Sequence, residues 1–343
     1  MPAKLSVRGG KLRFPDMITR SGTAPLVSVV CFAYNHERFI RQAVDSFLAQ
    51  RTDFPFEIIV NDDASTDNTP GLLSFYAESH PDRFRWNRQA SNRYSRGELG
   101  SMWIETFRSA RGKFIALCEG DDFWTEPSKL QRQVRRLQSE PAWAAVFHRG
   151  HAVNEGGNII PFVWDGLAYR GEYTQADCLR ELRSGYPTAS LVFRKSCVMG
   201  ETPDYYLRTP YDFMFDLLVT EHGLLGFEDF DGCAYRQHSA GIWSPLGLEE
   251  KKRLRIDRLI SLLGSRVMRQ RYPELQGMVY RQMDVVWWSQ FDGTWRGWWR
   301  ATRKNLRAGR RWGWGHIVGW LFRSSCPVRF ELRDLIAKKR VCC

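Results

Sequence analysis

Short apolar runs alternate with amphipathic segments along the chain from residue 25 onward. Three runs are nearly continuous in apolar residues, as is typical of strands buried on both faces: residues 26–32, 56–60 and 113–118. The segments between them repeat apolar residues at helical spacing: 39–50, 69–80 and 101–110. Strands that alternate with helices predict an α/β fold with a parallel sheet and right-handed crossovers.

The same pattern continues to about residue 248 and then changes. Further strands are predicted at 142–148, 190–193 and 227–235, a basic surface helix at 128–140, and another helix at 212–222. Beyond residue 248 the chain is predicted to be helical, basic and rich in aromatic residues. We therefore divide it into an N-terminal extension (1–24), a main domain (25–248) and a C-terminal helical region (249–343).

The composition is typical of a globular protein. Hydrophobic residues make up 43% and charged residues 26% of the 343 residues, which excludes a disordered chain, a collagen and a disulfide-stabilised miniprotein. The eight cysteines form no Cys-x-x-Cys pair, so we expect buried free thiols in a reducing cytosol. The sequence shows neither the apolar core of a signal peptide nor the ~20 apolar residues of a membrane span. We expect a cytoplasmic protein, either soluble or peripheral on the inner face of the cytoplasmic membrane.

The net charge of +12 is concentrated in the C-terminal region. Residues 249–343 carry 22 Lys and Arg, 8 Asp and Glu, and 8 of the 14 Trp, whereas residues 1–248 have a net charge of −2. Cationic faces interleaved with Trp favour the surface of an anionic membrane. A helical cap with a solvated basic face fits the same composition, and a nucleic-acid partner fits it less well.

Two pairs of adjacent carboxylates carry the strongest chemical signal. Asp62 and Asp63 follow the second predicted strand, and Asp121 and Asp122 follow the third. In parallel sheets, ligands bind beyond the carboxyl ends of the strands. Oxygen ligands at that edge suit Mg²⁺ or Mn²⁺ shared with a diphosphate. Turns and helix caps are the alternative use of such residues, and for residues 61–67 alone both explanations stand.

Six segments, in order along the chain, resemble motifs of family 2 glycosyltransferases with the GT-A fold. Three are similar to the nucleotide-sugar motifs of that family: residues 27–35 (VSVVCFAYN), 60–67 (VNDDASTD) and 119–124 (EGDDFW). Three are similar to the acceptor-side motifs of its bacterial members: residues 187–194 (PTASLVFR), 211–213 (YDF) and 235–244 (YRQHSAGIWS). The resemblance implies a GT-A, Rossmann-like mixed sheet, mostly parallel and flanked by helices, as the catalytic domain over residues 25–248.

The resemblance implies roles on the donor side of the site. Phe32, Ala33 and Tyr34 would line the pocket for the base, with Tyr34 offering an aromatic face. Asp62 or Asp63 would accept a hydrogen bond from the base or the ribose. The helix predicted at 101–110 lacks an Asn that family members often carry there, which leaves its contact to the donor sugar open.

It also implies a metal site and an acceptor side. Asp121 would face the ribose, while Asp122 and His238 would bind Mn²⁺ or Mg²⁺. Asp212 would be the general base that deprotonates the acceptor hydroxyl. Thr188 and Ser190, in an acceptor-side motif, would contact the substrate. From the residues alone, Asp212 also fits a helix N-cap and His238 a hydrogen-bonded structural histidine.

The implied activity is that of a metal-dependent glycosyltransferase of the hexosyltransferase type. It would move a sugar from a nucleotide-sugar donor, by default a UDP-sugar, to a glycan or lipid-linked acceptor. A single carboxylate base, without a second nucleophilic carboxylate, predicts inversion at the anomeric carbon. A catalytically silent protein that binds nucleotide sugars or glycans is the alternative. A nucleotidyltransferase is disfavoured, because residues 34–38 (YNHER) hold no glycine for a phosphate loop.

Overall fold

The computed structural model describes residues 24–273, except 163, 182–184, 209–211, 242–243, 245, 248–249, 252–253 and 255–264. The chain divides into two compact units, Met1–Pro245 and Leu246–Cys343. Nearly all of the predicted N-terminal extension and residues 274–343 of the predicted basic region lie outside the described residues. No described helix has both the length and the apolar character needed to cross a membrane.

The described part of the first unit is an α/β domain. Its strands are β1 (Val27–Ala33), β2 (Phe56–Asp62), β3 (Phe84–Arg88), β4 (Phe114–Glu119), β5 (Phe123–Trp124), β6 (Trp143–Val153), β7 (Ile159–Ile160), β8 (Glu172–Tyr173), β9 (Val192–Arg194) and β10 (Leu224–Arg236). Its helices are α1 (Ile40–Leu48), α2 (Thr69–Ser79), α3 (Leu99–Ser109), α4 (Lys129–Ser139), α5 (Gln175–Glu181), α6 (Asp204–Arg208) and α7 (Asp212–Thr220). In the second unit one helix, α8 (Arg266–Arg271), is described, and the side chain of Ser265 caps it.

The strands form one mixed sheet in the order β3-β2-β1-β4-β9-β6-β10-β5. The β3, β2, β1 and β4 strands are parallel to one another, and so are β6 and β10. The antiparallel pairings are short and involve β5, β7, β8 and β9. The predicted α/β class with a mostly parallel sheet is confirmed.

The register of the parallel strands brings their carboxyl ends side by side. Ala33 at the end of β1 pairs with Asp62 at the end of β2, and Phe32 pairs with Glu119 at the end of β4. All seven residues of β1 are buried, because helices cover both faces of the sheet. The loops that leave these strands therefore emerge together at one edge.

The two faces of the sheet pack differently. On one face, α1, α2 and α4 bury aliphatic side chains against alternate residues of β1, β2 and β4. On the other face, an aromatic cluster joins β1, α3, β9 and α7: Phe32, Trp103, Phe107, Phe193 and Phe215. Each such ring contributes about 1.5–3 kcal/mol by its burial, so both layers hold the sheet edge in place.

The longer elements match the sequence pattern, and the shorter ones do not. The predicted strands correspond to β1, β2, β4, β6, β9 and β10, and the predicted helices to α1–α4 and α7. The β3 strand was not predicted, because its residues 84–88 (FRWNR) lack a continuous apolar run. The two-residue strands β5, β7 and β8 are shorter than any periodic signal, and the pattern also missed α5 and α6.

Helix α4 is not purely a basic surface helix, which corrects that prediction. Its first residue, Lys129, is fully buried and donates a hydrogen bond to Gln133 Oε1 (2.8 Å). The Lys129 ammonium also lies 4.2 Å from the ring centre of Trp124. Burial lowers the pKa of Lys129 to about 7, because removal from water disfavours the charged form.

We expect Lys129→Met to stabilise the protein at pH 7 and to flatten its pH dependence. Between pH 7 and about 8.5, the unfolded chain keeps the Lys129 proton, because the pKa of a solvated lysine is 10.5, while the folded chain loses it. The contribution of Lys129 to the free energy of unfolding of the wild type therefore rises with pH in this window, by at most about 1.4 kcal/mol per pH unit. Removing the buried cation should add on the order of 1–4 kcal/mol at pH 7.

Urea denaturation at several pH values measures both effects. Lys113→Met, at an exposed lysine, is the control and should leave the slope unchanged. Above about pH 8.5, the buried thiols of Cys31, Cys118 and Cys233, whose pKa values burial raises, contribute with the opposite sign. Equal slopes for Lys129→Met and the wild type would show that Lys129 does not titrate as stated.

Candidate active site

The loops that follow β1 and β2 are joined by hydrogen bonds. The backbone N–H of Asn35 donates to Ser65 Oγ (2.8 Å), and Asn35 Oδ1 accepts from the backbone N–H of Thr66 (2.7 Å). Asn35 (φ 55°) and Ala64 (φ 64°) adopt the left-handed conformation, which residues other than glycine seldom occupy. The cross-bonds hold both strained residues in place at the carboxyl edge of the sheet.

Of the three residues predicted to line a base pocket, only one presents its side chain to solvent. Tyr34 is 43% exposed at the start of the β1–α1 loop. Phe32 and Ala33 are buried, and the Phe32 ring stacks on Trp103 with 4.9 Å between ring centres. The side chains of Phe32 and Ala33 form the interior behind the edge, because β1 is covered on both faces, and their role at a base pocket stays a prediction.

Asp62 and Asp63 bind to the protein's own loops. Asp62 accepts hydrogen bonds from the backbone N–H and the hydroxyl of Ser65, and Asp63 accepts from the backbone N–H groups of Arg93 (2.7 Å) and Tyr94 (3.0 Å). Burial raises the pKa of Asp62 and outweighs the hydrogen bonds from Ser65, which lower it. In this structure both carboxylates order the loops at the sheet edge.

Asp121 and Asp122 lie in the turn after β4 and point to different partners. Asp122 Oδ1 accepts from the backbone N–H of Arg236 (2.8 Å) at the end of β10. Asp121 Oδ2 lies 3.0 Å from His238 Nε2 and 3.7 Å from His36 Nε2. The carboxylate beside the predicted metal-binding histidine is thus Asp121, whereas the prediction gave the metal to Asp122.

The two carboxylates also differ in protonation. Burial raises the pKa of Asp122 well above its usual range, and the negative charges of Asp121 and Glu119 add to this effect. Burial alone would also raise the pKa of Asp121, but the imidazoles of His36 and His238 outweigh it and leave that pKa below its usual value. Asp121 is therefore the more strongly ionised of the pair.

The Asp121–His238 pair has donor atoms that suit a divalent ion. A carboxylate oxygen and an imidazole nitrogen 3.0 Å apart can share one cation, and such mixed ligands are compatible with Mn²⁺. His238 is buried, and its second ring nitrogen has no hydrogen-bond partner among the described residues. Within the described ranges, no group of three or more His, Cys, Asp or Glu has the arrangement of a complete metal site.

The predicted acceptor-side residues lie in three different surroundings: the start of a helix, the wall of a cavity and the core. Asp212 begins α7, but its side chain lies outside the described part of the structure. Thr188 lines a cavity between α3 and α7 together with Trp103 and Asp216. Ser190 is fully buried, and its carbonyl accepts from Gln133 Nε2 (2.7 Å). Ser190 thus lies in the core within its 3-10 turn, and its contact with substrate stays a prediction.

Sequence reasoning missed two residues of this site, His36 and Arg236. His36 lies in the β1–α1 loop, where Gly120 makes room for it: a Cβ atom on Gly120 would lie 2.8 Å from His36 Nδ1. Arg236 contacts the turn that contains Asp121 and Asp122. His36 directly follows the motif at residues 27–35, and Arg236 lies within the motif at residues 235–244. Their position in or beside these motifs was the one signal that could have pointed to them.

Comparisons with known proteins bear on the family and the fold of the chain. The family described as "Glycosyl transferase family 2" matches residues 28–198. An uncharacterised protein of Mycobacterium tuberculosis is 33% identical over 228 residues, which are 66% of this chain and 63% of that protein. The match thus spans just under two thirds of that relative's length.

Two solved structures are similar in fold. TarS of Staphylococcus aureus in complex with UDP-GlcNAc has a TM-score of 0.54 at 16% identity, over 80% of this chain and 79% of that chain. The mannosyltransferase PcManGT of Pyrobaculum calidifontis in complex with GDP-Man and Mn²⁺ has a TM-score of 0.51 at 16% identity, over 94% and 82%. At such identities the likeness shows the fold alone, which is the GT-A fold.

We expect Asp63→Ala to release the loop at residues 92–94 while the sheet stays folded. The substitution removes the two charge-assisted hydrogen bonds to the backbone of Arg93 and Tyr94. Such bonds are worth about 1.5–3 kcal/mol, so these two amides should exchange on the order of 10–100-fold faster. Hydrogen exchange measures this directly. Asp67→Ala, in the same β2–α2 loop, should leave both amides protected, and unchanged exchange in Asp63→Ala would contradict the assignment.

Proposed function

Because the chain belongs to glycosyl transferase family 2, we propose that it transfers a sugar, of the hexosyl type, from a nucleotide-sugar donor to a glycan or lipid-linked acceptor. A UDP-sugar is the expected donor. The observation that carries the proposal is the Asp121–His238 pair at the carboxyl edge of the parallel strands, where ligands bind in α/β sheets. The complexes of TarS with UDP-GlcNAc and of PcManGT with GDP-Man and Mn²⁺ support a nucleotide sugar and a divalent ion.

Tyr34 and the joined loops form the donor side in this proposal. The exposed Tyr34 ring offers a face on which a nucleotide base can stack. Asp62 and Asp63 act beneath it, by holding the loops that surround the nucleotide. The diphosphate lies between Tyr34 and Asp121, because both are at the ends of adjacent strands, β1 and β4.

Asp121 and His238 bind Mn²⁺ or Mg²⁺ in this proposal. Such ions are commonly held by one or two protein groups together with substrate phosphates, which fits a two-residue site. A bound ion would offset the negative charge that the diphosphate gains as its bond to the sugar breaks. Asp122, directed at the Arg236 backbone, supports the turn and is not assigned as a ligand.

Asp212 is the general base of the proposed reaction. Its carboxylate removes the proton from the acceptor hydroxyl as that oxygen forms its bond to the anomeric carbon. The bond between the anomeric carbon and the diphosphate oxygen breaks on the opposite face, so the configuration inverts. Proton transfer to a positioned base contributes about 10²–10⁴-fold to the rate.

A panel of nucleotide sugars, incubated with the full chain with Mn²⁺ and with excess EDTA, tests the function. We expect at least one nucleotide sugar to raise the melting temperature and to be hydrolysed slowly when Mn²⁺ is present, because water replaces the acceptor. EDTA should abolish both effects. If no member of the panel binds or reacts, the proposed function is wrong.

Two substitutions separate binding from chemistry in the same assay. Asp212→Asn should lower transfer by about 10²–10⁴-fold and leave nucleotide-dependent stabilisation unchanged, because it removes only the base. Asp121→Asn should weaken the Mn²⁺-dependent part of nucleotide binding. Asp229→Asn, at an exposed residue paired with Arg149, is the control and should behave as wild type. Full turnover by Asp212→Asn would mean that another group is the base.

We also propose that the basic region at residues 249–343 binds an anionic membrane surface, where a lipid-linked acceptor would be found. The proposal is supported by the net charge of +14 and the 8 Trp of this region.

The full chain should sediment with vesicles of phosphatidylglycerol and phosphatidylcholine at low salt. Because salt screens surface charge, binding should weaken at about 0.5 M NaCl and be absent with pure phosphatidylcholine. No binding at low salt would refute it.

A further inference from the structure

Arg236, the last residue of β10, is only 4% exposed although it carries a charge. A buried charge is costly unless its donors are satisfied. Its Nε donates to the backbone carbonyl of Asp121 (3.0 Å), and its Nη2 donates to Gln42 Oε1 (2.6 Å). Its Nη1 donates to the carbonyls of Asn154 (3.4 Å) and Glu155 (3.2 Å). The side chain thus ties together the turn after β4, helix α1 and the turn after β6.

The shape of the guanidinium group matters in this position. Two aromatic rings pack near it, Phe39 with its centre at 4.9 Å and Phe123 with its centre at 5.2 Å. A planar group with five N–H donors can meet ring faces and separate carbonyls at once, which a lysine ammonium cannot. All three of its nitrogens already donate within the chain. The N–H donors of Arg236 are therefore largely used within the protein, and we do not assign this residue to bind a diphosphate.

Arg236 is connected to both residues of the candidate metal site, to Asp121 by a hydrogen bond and to His238 along the chain. Its Nε holds the carbonyl of Asp121, and its backbone N–H donates to Asp122 Oδ1 (2.8 Å). His238 follows two residues later and meets Asp121 Oδ2 at 3.0 Å. Arg236 thus links the turn that carries Asp121 to the chain segment that carries His238.

We propose that Arg236 is a positioning residue that sets the separation of Asp121 and His238 and, through it, the affinity of the protein for a divalent ion. The inference rests on the proposed function, because it concerns the same site. Groups that orient metal ligands from outside the coordination shell typically change metal affinity about 10–100-fold when they are removed. Arg236 acts through the Asp121 carbonyl and not by contact with substrate.

Calorimetric titration of the full chain with Mn²⁺, in the presence of UDP, tests this role. Arg236→Met removes both the charge and the planar set of N–H donors. Arg236→Lys keeps the charge and removes the planar set of donors. Arg194→Met is the matched control: Arg194 also donates to backbone carbonyls, those of Trp143, Leu137 and Glu140, but it lies at the opposite end of β4. Thermal melting of all variants measures the general loss of stability.

We expect both Arg236 variants to bind Mn²⁺ about 10–100-fold more weakly than wild type. Arg194→Met should lose stability to a similar extent and keep wild-type Mn²⁺ affinity. Wild-type affinity in Arg236→Lys would overturn the proposal, since charge alone would then suffice. Unchanged or tighter binding in Arg236→Met would also overturn it. If the wild type itself binds no Mn²⁺ with UDP, the Asp121–His238 metal site of the proposed function is wrong. If the wild type binds Mn²⁺ and the Arg236 variants bind it equally well, only the positioning role is wrong.

Gln42→Ala provides a milder test if the arginine variants do not fold. Gln42 is an exposed residue of α1, and its substitution removes one acceptor of Arg236 without disturbing the core. It should weaken Mn²⁺ binding in the same direction, by less than the arginine variants. Gln131→Ala, at another glutamine whose side chain bonds a surface aspartate, is its control. Equal Mn²⁺ affinity in the two glutamine variants would count against the positioning role.

Discussion

Negative charge gathered at the carboxyl end of β4 is the constraint on which the site depends. Asp121 and Asp122 are adjacent, Glu119 lies close by, and the resulting repulsion with burial disfavours ionisation of Asp122. The guanidinium of Arg236 lies beside this turn as a buried cation, and the imidazoles of His238 and His36 lie 3.0 and 3.7 Å from the Asp121 carboxylate. In the proposed function, a divalent ion held together with the diphosphate would add further positive charge while substrate is bound. The catalytic proposal follows from this division between permanent and exchangeable positive charge.

The sheet makes this arrangement possible through its register. Because β1 is paired in parallel with both β2 and β4, the loops after these strands start at the same level and can bond to each other. The β10 strand then brings Arg236 and His238 to that edge from more than a hundred residues away. Four separate segments thus contribute to one small region, and a layer of packed aromatic rings lies beneath it.

The parts predicted from sequence are those whose signals are local. Strands β1, β2 and β4 are buried on both faces, so their apolar runs are visible without any tertiary information. The carboxylate pairs were found for the same reason, since they directly follow those runs. Which carboxylate faces His238 could not be predicted, because it depends on a hydrogen bond between Asp122 and a residue 114 positions later. The inward turn at Ser190 likewise depends on Gln133 in another helix.

The hydrogen bonds between the two donor-side loops have an evolutionary consequence. The backbone N–H of Asn35 donates to Ser65 Oγ, and the Asn35 side chain accepts from the backbone of Thr66. The two loops are therefore joined by hydrogen bonds at both groups, although 30 residues separate Asn35 from Ser65. A change on one side leaves a donor or acceptor unmatched on the other. Positions 35 and 66, whose side chains also meet (Thr66 Oγ1 donates to Asn35 Oδ1 at 3.3 Å), should therefore covary among homologues, and grafting one loop from a relative should require its counterpart to be transferred with it.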